Sequence, residues 1–290
     1  MERNDRINVF ADTVACVSKG YYTNKKGEKV EIPIESGGLS VGDVSFYSSD
    51  IKKNINFDKI KRHKTEIKVV NQDCLYAAKE LIDDGYSPVV VNFASFKRPG
   101  GGVANGSAAQ EENLCRRTNL YESIFRFKSD MAKEYGLPCE KAQYPLPVNH
   151  GAIYSPSIAV FKASEDKNYE YLDEPFMVDI ITIAALSHPN LTKDGNLAKW
   201  DRDVTKQKIR TMLNLGLYWE NDSIVLGAFG CGAFANPPED IAKAFKEVID
   251  EPEYCDKYEK IVFAILDDHN SHREHNPRGN YLPFVETFSE

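Results

Sequence analysis

The chain has 290 residues, of which 42% are hydrophobic and 28% are charged, a composition typical of a soluble globular protein. This length allows one large domain or two small ones, and it is enough for a sizeable core without disulfides. The net charge of −8 argues against binding of duplex nucleic acid through a basic surface, although backbone N–H groups at a helix start can still bind a small anion.

The first 65 residues are predicted to form an N-terminal extension. A helical stripe runs along residues 5–19 at Ile7, Phe10, Ala11, Val14 and Ala15. Residues 20–65 are polar and irregular, with no internal repeat. We therefore expect one domain overall, in which residues 1–65 pack on a core formed by residues 66–290.

Strands alternate with helices through this core. Strands are predicted at residues 67–71, 88–95, 157–161, 177–185, 223–229 and 261–267. Helices are predicted after Asp73, which can act as a cap, and at residues 200–219 and 239–249, each with an apolar face. This alternation predicts an α/β fold with a mixed sheet between layers of helices.

A glycine-rich loop follows the apolar strand at residues 88–95. Gly100, Gly101 and Gly102 allow positive φ angles and close approach to the main chain, so a ligand is expected against it. Ser107 and Gln110 match a capping box at the start of a helix that continues through residue 125. The alternative is a flexible loop without function.

Glu111 and Glu112 lie near the start of that predicted helix. Neighbouring helical residues point about 100° apart, so the two side chains are not expected to flank one bond from opposite sides. We expect one carboxyl to transfer protons and the other to orient its neighbour or a hydroxyl. A general acid needs a pKa raised towards 7, whereas a helix start favours the ionised form. The alternative role is simple compensation of the helix dipole.

A second glycine-rich segment follows the strand at residues 223–229. Gly227, Gly230 and Gly232 precede a helix that is predicted to begin at Pro237 or Pro238, with Asn236 and Glu239 as a cap. A strand, a glycine-rich turn and a helix start together form an anion cradle. A tight turn without a ligand is the alternative.

No metal site and no cofactor are predicted. The acidic and histidine side chains near the C-terminus lie in a polar stretch without a metal-binding motif; they are Asp267, Asp268, His269, His272 and His275. The six cysteines include no C-x-x-C pair, and no stretch reaches 18 apolar residues. We therefore expect a cytoplasmic chain with reduced thiols that does not enter a membrane.

The order of Gly100–Gly102, a seven-residue spacer and Gln110–Glu112 resembles the signature of poly(ADP-ribose) glycohydrolases, in their bacterial-type branch. The resemblance extends from about residue 5 to the C-terminus. It implies a macrodomain-like core with an added N-terminal region. It also implies that Glu112 is the catalytic glutamate and that Glu111 positions it.

The resemblance implies further substrate-binding residues. Asn92 matches an asparagine with which many macrodomains end this strand, and Asp73 matches an aspartate that recognises adenine. The glycine loop and Gln110 complete the catalytic side of the site. The diphosphate-binding loop then corresponds to Gly230, Cys231, Gly232 and Ala233, with Phe234 packed against a ribose.

The implied reaction is hydrolysis of the ribose–ribose O-glycosidic bonds of poly(ADP-ribose), which releases ADP-ribose. The implied partners are the polymer, ADP-ribose and ADP-ribosylated proteins, with no sequence-specific nucleic acid. Three alternatives remain at this point: removal of single ADP-ribose units, non-catalytic binding of ADP-ribose, and a metal hydrolase built on the histidines.

Overall fold

A computed structural model describes residues 1–33, 44–128, 143–267 and 271–289. The helices in these ranges are α1 (Arg3–Lys19), α2 (Cys74–Asp83), α3 (Gln110–Arg117), α4 (Leu120–Phe125), α5 (Lys199–Tyr218), α6 (Pro238–Ile249) and α7 (Tyr281–Phe288). The strands are β1 (Tyr21–Thr23), β2 (Lys29–Glu31), β3 (Ser45–Tyr47), β4 (Glu66–Val70), β5 (Pro88–Phe93), β6 (Ala152–Lys162), β7 (Tyr171–Ile183), β8 (Ser223–Leu226) and β9 (Lys260–Ala264).

The main sheet has seven strands in the order β3-β6-β7-β5-β8-β9-β4. The five strands from β7 to β4 run parallel to one another, and β6 and β3 pair antiparallel at the other side. This mixed α/β sheet confirms the predicted fold class. Because the parallel strands all end at one edge, the loops that follow them meet there, and ligands of α/β sheets bind at such edges.

Helices cover both faces of the sheet, and β5 shows why its sequence is apolar throughout. Val89 and Val91 pack into the core beneath α5 and α6, whereas Val90 packs with Leu75 of α2 and Leu114 of α3 on the other face. A strand buried on both sides needs apolar residues at successive positions. The central position of β5 fixes the place of the loop that follows it.

The predicted face of α1 is only partly correct. Phe10 is buried and Ile7 is half-buried, as predicted, but Ala11, Val14 and Ala15 are exposed, and Thr13 and Cys16 complete the buried side. The reason is a polar contact that periodicity does not reveal, because the Thr13 hydroxyl donates to the backbone oxygen of Arg116 in α3 at 2.5 Å. This contact places α1 directly behind the glycine loop.

The N-terminal region also contributes to the main sheet. Ser45–Tyr47 forms the edge strand β3, and Tyr21–Glu31 contains a separate two-stranded hairpin. The boundary at residue 65 between an extension and a core stays a prediction. Among the described residues, no helix is both long and apolar enough to cross a membrane.

Candidate active site

A cavity of about 450 Å³ opens at the edge where the parallel strands end. Pockets for small ligands and cofactors have volumes in this range. Eight of the predicted site residues line it: Asp73, Gln110, Glu111, Glu112, Gly230, Gly232, Ala233 and Phe234. The other five, Asn92, Gly100, Gly101, Gly102 and Cys231, are not among the lining residues.

The glycine loop holds the two glutamate side chains. Glu111 accepts hydrogen bonds from the backbone N–H of Ser95 at 2.7 Å and of Gly100 at 3.0 Å, one on each carboxyl oxygen. Glu112 accepts one from the N–H of Gly102 at 2.8 Å. A pair of carboxyl groups therefore lies against this part of the main chain, and the contact of the loop with a ligand stays a prediction.

Gly101 is the point on which both carboxyl groups converge. Its φ is +54°, and a Cβ at this position would lie 2.6 Å from Glu112 Oε1 and 2.9 Å from Glu111 Oε2. These two oxygens are therefore at most about 5.5 Å apart. The two oxygens lie close together because the loop folds over the helix start and its N–H groups bind both carboxyl groups. The expectation that the two side chains do not flank one bond from opposite sides stays a prediction.

The predicted capping box is also wrong. Helix α3 begins at Gln110, Ala109 is the residue before it, and no side chain caps this end. The Gln110 amide instead accepts from the N–H of Phe93 at 2.7 Å and donates to the backbone oxygen of Val91 at 2.9 Å. Gln110 thus fixes the helix start to the end of β5. The two glutamates lie within the first turn of α3, and the helix ends before α4 instead of continuing through residue 125 as predicted.

The two glutamates differ in the hydrogen-bonding capacity that they leave free. Both oxygens of Glu111 accept from backbone N–H groups, whereas among the described residues none donates to Glu112 Oε2. Both side chains are nearly buried, with Glu112 the more exposed at 7% against 2%. Glu112 therefore presents a free carboxyl oxygen to the cavity, and Glu111 is the anchor of the loop.

Burial, together with the negative charge of Glu112, raises the pKa of Glu111 to about 8, against the opposing effect of the hydrogen bonds from the N–H groups of Ser95 and Gly100. Glu111 therefore holds a proton at pH 7, close to the carboxyl group of Glu112.

This shift gives a testable dependence of stability on pH. The ordinary pKa of a glutamate is 4.5, so between about pH 5 and 8 the folded protein holds a proton that the unfolded chain has lost. The free energy of unfolding should therefore fall with rising pH across that window, by up to roughly 1.4 kcal/mol per pH unit. Urea unfolding of the wild type and of Glu111→Gln at several pH values measures it. Parallel pH profiles for the two proteins would contradict the assignment.

The second glycine-rich loop has free backbone donors that face the cavity. The N–H groups of Phe229, Cys231, Ala235 and Asn236 close turns within the loop. Those of Gly230, Gly232, Ala233 and Phe234 have no acceptor among the described residues, and all four residues line the cavity. Converging free N–H groups are the donors that an anion such as a diphosphate needs.

Hydrogen bonds to its backbone fix the conformation of this loop. The buried Asn236 amide donates to the backbone oxygens of Leu186 at 2.7 Å and Gly230 at 3.1 Å, so its predicted role as a helix cap is wrong. Helix α6 begins at Pro238, as predicted, without a side-chain cap. The Cys231 side chain is fully buried, and its backbone oxygen accepts from His275 Nε2 at 2.8 Å. Burial raises the pKa of the Cys231 thiol well above 9, so the thiol is not a nucleophile.

Asp73 caps α2 and forms an ion pair. Its Oδ1 accepts from the N–H groups of Leu75 and Tyr76, and both of its oxygens lie 2.8 Å from Arg117 Nη1. Oδ2 therefore keeps capacity for one more donor at the cavity wall. The cap is observed, and the predicted contact with adenine stays a prediction.

Asn92 lies behind the glutamates. It is fully buried in β5, and its amide donates to Thr182 Oγ1 at 3.1 Å. Asn92 does not line the cavity. A direct contact between Asn92 and a ligand also stays a prediction.

One ion pair at the cavity was not identified from the sequence. Arg6 in α1 pairs with Glu165 at 2.6 Å, and both line the cavity near Asn113. Burial raises the pKa of Glu165, but hydrogen bonds from Arg6 and from the N-terminal amino group outweigh this and lower it to about 2. The two residues are 159 positions apart, so no local pattern could have brought them together.

The histidines near the C-terminus have other partners. Asp268 and His269 lie outside the described residues. His272 contacts the backbone oxygen of Pro277, and His275 contacts that of Cys231. Within the described ranges, no three His, Cys, Asp or Glu side chains are grouped as metal ligands.

The chain is similar to known proteins in both sequence and structure. Residues 11–163 match the family model described as microbial-type PARG, catalytic domain. No curated protein sequence matched the chain. Among solved structures, the poly(ADP-ribose) glycohydrolase of Thermomonospora curvata has a TM-score of 0.80 at 26% identity, covering 98% of this chain and 100% of that chain.

The same Thermomonospora curvata enzyme bound to the inhibitor ADP-HPD has a TM-score of 0.79 at 25% identity, with the same coverage. The poly(ADP-ribose) glycohydrolase of Deinococcus radiodurans in complex with ADP-ribose has a TM-score of 0.66 at 26% identity. That match covers 87% of this chain and 98% of that chain. These similarities extend over nearly the whole chain, so they include both glycine-rich loops.

Proposed function

Because the chain belongs to the family of microbial-type PARG catalytic domains, we propose that it is a poly(ADP-ribose) glycohydrolase in which Glu112 carries out the proton transfers. The substrate is the terminal unit of the polymer, and the product is ADP-ribose. The observation that carries this assignment is the free Oε2 of Glu112 at the cavity, beside a Glu111 whose two oxygens are both occupied by the backbone.

The terminal unit lies across the strand ends. Its diphosphate accepts hydrogen bonds from the free N–H groups of Gly230, Gly232 and Ala233, and Phe234 packs against the distal ribose. Its adenine lies towards Asp73, whose Oδ2 accepts from the exocyclic amino group. This orientation brings the anomeric carbon of the distal ribose towards Glu112.

The chemistry has two proton transfers at one carboxyl group. Glu112 carries a proton when the polymer is bound, and this proton passes to the 2′-oxygen of the leaving ribose as the glycosidic bond breaks. The bonding electrons remain on that oxygen, and positive charge develops on the anomeric carbon. The nearby diphosphate stabilises this charge. The ionised Glu112 then takes a proton from a water molecule whose oxygen attacks the anomeric carbon, which restores the acid.

Glu111 is a positioning residue. Its two hydrogen bonds hold Ser95 and Gly100 in place, and these residues begin and end the segment that directly precedes Gly101. Its raised pKa keeps a proton within the pair at neutral pH. We therefore expect Glu111 to act on the reaction through Glu112 and the loop.

Phe234 provides a test of ribose packing. Phe234→Ala removes an apolar contact of about 1 to 2 kcal/mol, so kcat/KM for the polymer should fall roughly ten-fold. Phe234→Leu keeps part of the apolar surface and should fall less. Steady-state kinetics of both variants measure the effect, and wild-type values for the Ala variant would remove Phe234 from the site.

The proposal is tested by digesting labelled poly(ADP-ribose) with the purified protein and resolving the products by length. Free ADP-ribose is the expected product. A parallel digest of a protein that carries single ADP-ribose units distinguishes polymer hydrolysis from removal of the protein-linked unit. Release from the mono-modified protein without any hydrolysis of the polymer would overturn the assignment.

A further inference from the structure

A positively charged segment of the surface lies at the end of β4 that is opposite the cavity. Residues 52–64 contain six Lys or Arg residues and one Asp, although the whole chain carries a net charge of −8. Five of these cations are exposed, and the four that lie close together in sequence, Lys59, Lys61, Arg62 and Lys64, are called the basic strip below. Such a concentration of positive charge in an acidic protein creates a local field that attracts anions.

The cations of the basic strip are free of ion pairs with the described residues. Two of the nearby acids have other partners, since Glu253 pairs with Lys52 at 2.7 Å and Glu259 lies 3.4 Å from His63 Nδ1, which leaves Asp58 as the acid within the segment. Many other surface lysines are paired with acids, among them Lys25, Lys26, Lys79, Lys199 and Lys260. The positive charge of the basic strip is therefore available to an external anion.

The segment that carries the basic strip is fixed to the core. The largely buried Lys257 donates from Nζ to the backbone oxygens of Phe57 at 2.6 Å and Ile60 at 3.2 Å. Within the strip, the His63 N–H donates to the backbone oxygen of Asp256 at 2.8 Å. Part of the strip also lines a surface groove with Pro252 and Glu253. The four cations thus project from a shaped surface.

We propose that the basic strip is a second anion-binding site, which holds the diphosphates of poly(ADP-ribose) units other than the unit in the cavity. The inference rests on the proposed function, because that function supplies a flexible polyanion with a diphosphate in every unit. Strand β4 separates the strip from Asp73, and its five residues span about 16 Å. One bound unit therefore cannot occupy both places, and only a longer polymer reaches the strip.

The test compares polymers of different length. In the variant Lys59→Gln, Lys61→Gln, Arg62→Gln and Lys64→Gln, KM for long polymer should rise about ten-fold at low salt, and the logarithmic salt dependence of binding should weaken by up to about 3. Values of kcat, and all constants for the shortest polymer, should match the wild type. The matched control neutralises Lys25, Lys26, Lys199 and Lys243, which lowers the net charge equally, and it should behave as the wild type.

Different outcomes of this test bear on the second site and on the proposed hydrolysis. Equal KM and salt dependence of the strip variant and the wild type at every length would overturn the second site while leaving hydrolysis intact. Anisotropy of labelled long polymer is measured in parallel, so that loss of binding in the strip variant supports the second site even if no hydrolysis occurs. A single-stranded oligonucleotide of equal phosphate number is also tested as a competitor of the labelled polymer. If it displaces the label more strongly than unlabelled polymer does, the assignment of poly(ADP-ribose) as the ligand of the strip is overturned.

Discussion

Glu112→Gln should lower kcat for poly(ADP-ribose) at least about a thousand-fold, because the amide can neither donate the proton to the leaving oxygen nor accept one from water. The glutamine oxygen can still accept from the N–H of Gly102, so the loop should keep its shape. Binding of ADP-ribose should therefore change by only a few-fold. Single-turnover kinetics and calorimetry measure the two quantities separately.

The control for this variant is Glu122→Gln. Glu122 lies in the first turn of α4, as Glu112 lies in the first turn of α3, so both substitutions remove one negative charge near a helix start. Glu122→Gln should keep wild-type kcat. If Glu112→Gln kept more than a tenth of the wild-type kcat, the proton transfers would have to be assigned to another group.

Gly101→Ala should also abolish most of the activity, by displacing both carboxyl groups. The added Cβ would lie 2.6 Å from Glu112 Oε1 and 2.9 Å from Glu111 Oε2, so at least one side chain has to move. A displacement of about 1 Å at a reacting group can cost a hundred-fold in rate. We expect a fall in kcat of that size or larger.

The backbone cost of this substitution needs its own control. Gly27 has a φ of +79° in the turn between β1 and β2, and a Cβ there would meet nothing within 4 Å. Gly27→Ala and Gly101→Ala should both cost roughly 1 to 2 kcal/mol of stability, because both place a non-glycine residue in a left-handed conformation. Only Gly101→Ala should lose activity. Equal activity of the two variants would mean that the glutamates do not need the close approach at Gly101.

The sequence predicted the parts of the site that depend on local chemistry. Apolar runs marked the buried strands, and glycines marked the turns that follow β5 and β8. The spacing between Gly100–Gly102 and Gln110–Glu112 also has a local cause, since the glycine N–H groups bind the glutamate carboxyl groups across that short loop. Residues that are near in sequence and joined by hydrogen bonds leave a recognisable pattern.

The remaining features depend on residues that are distant in sequence. The raised pKa of Glu111 comes mainly from burial, which the packing of the whole sheet determines. The rotation of α1 follows from Thr13, whose polar side chain is buried because Arg116 and Lys162 provide partners. Strand β3 is only three residues long and joins the sheet through β6, more than a hundred residues later. Short or polar elements whose partners are remote have no periodic signal.

The central claim is that the distal ribose of the terminal unit lies within proton-transfer reach of Glu112. The most direct measurement is a crystal structure of the Glu112→Gln variant with a bound poly(ADP-ribose) fragment. The expected result is the residue-112 side chain at about 2.6 to 3.2 Å from the glycosidic oxygen, with the diphosphate on the N–H groups of Gly230, Gly232 and Ala233. A fragment bound with its diphosphate elsewhere, or with residue 112 beyond the reach of the scissile bond even through one water molecule, would contradict the account.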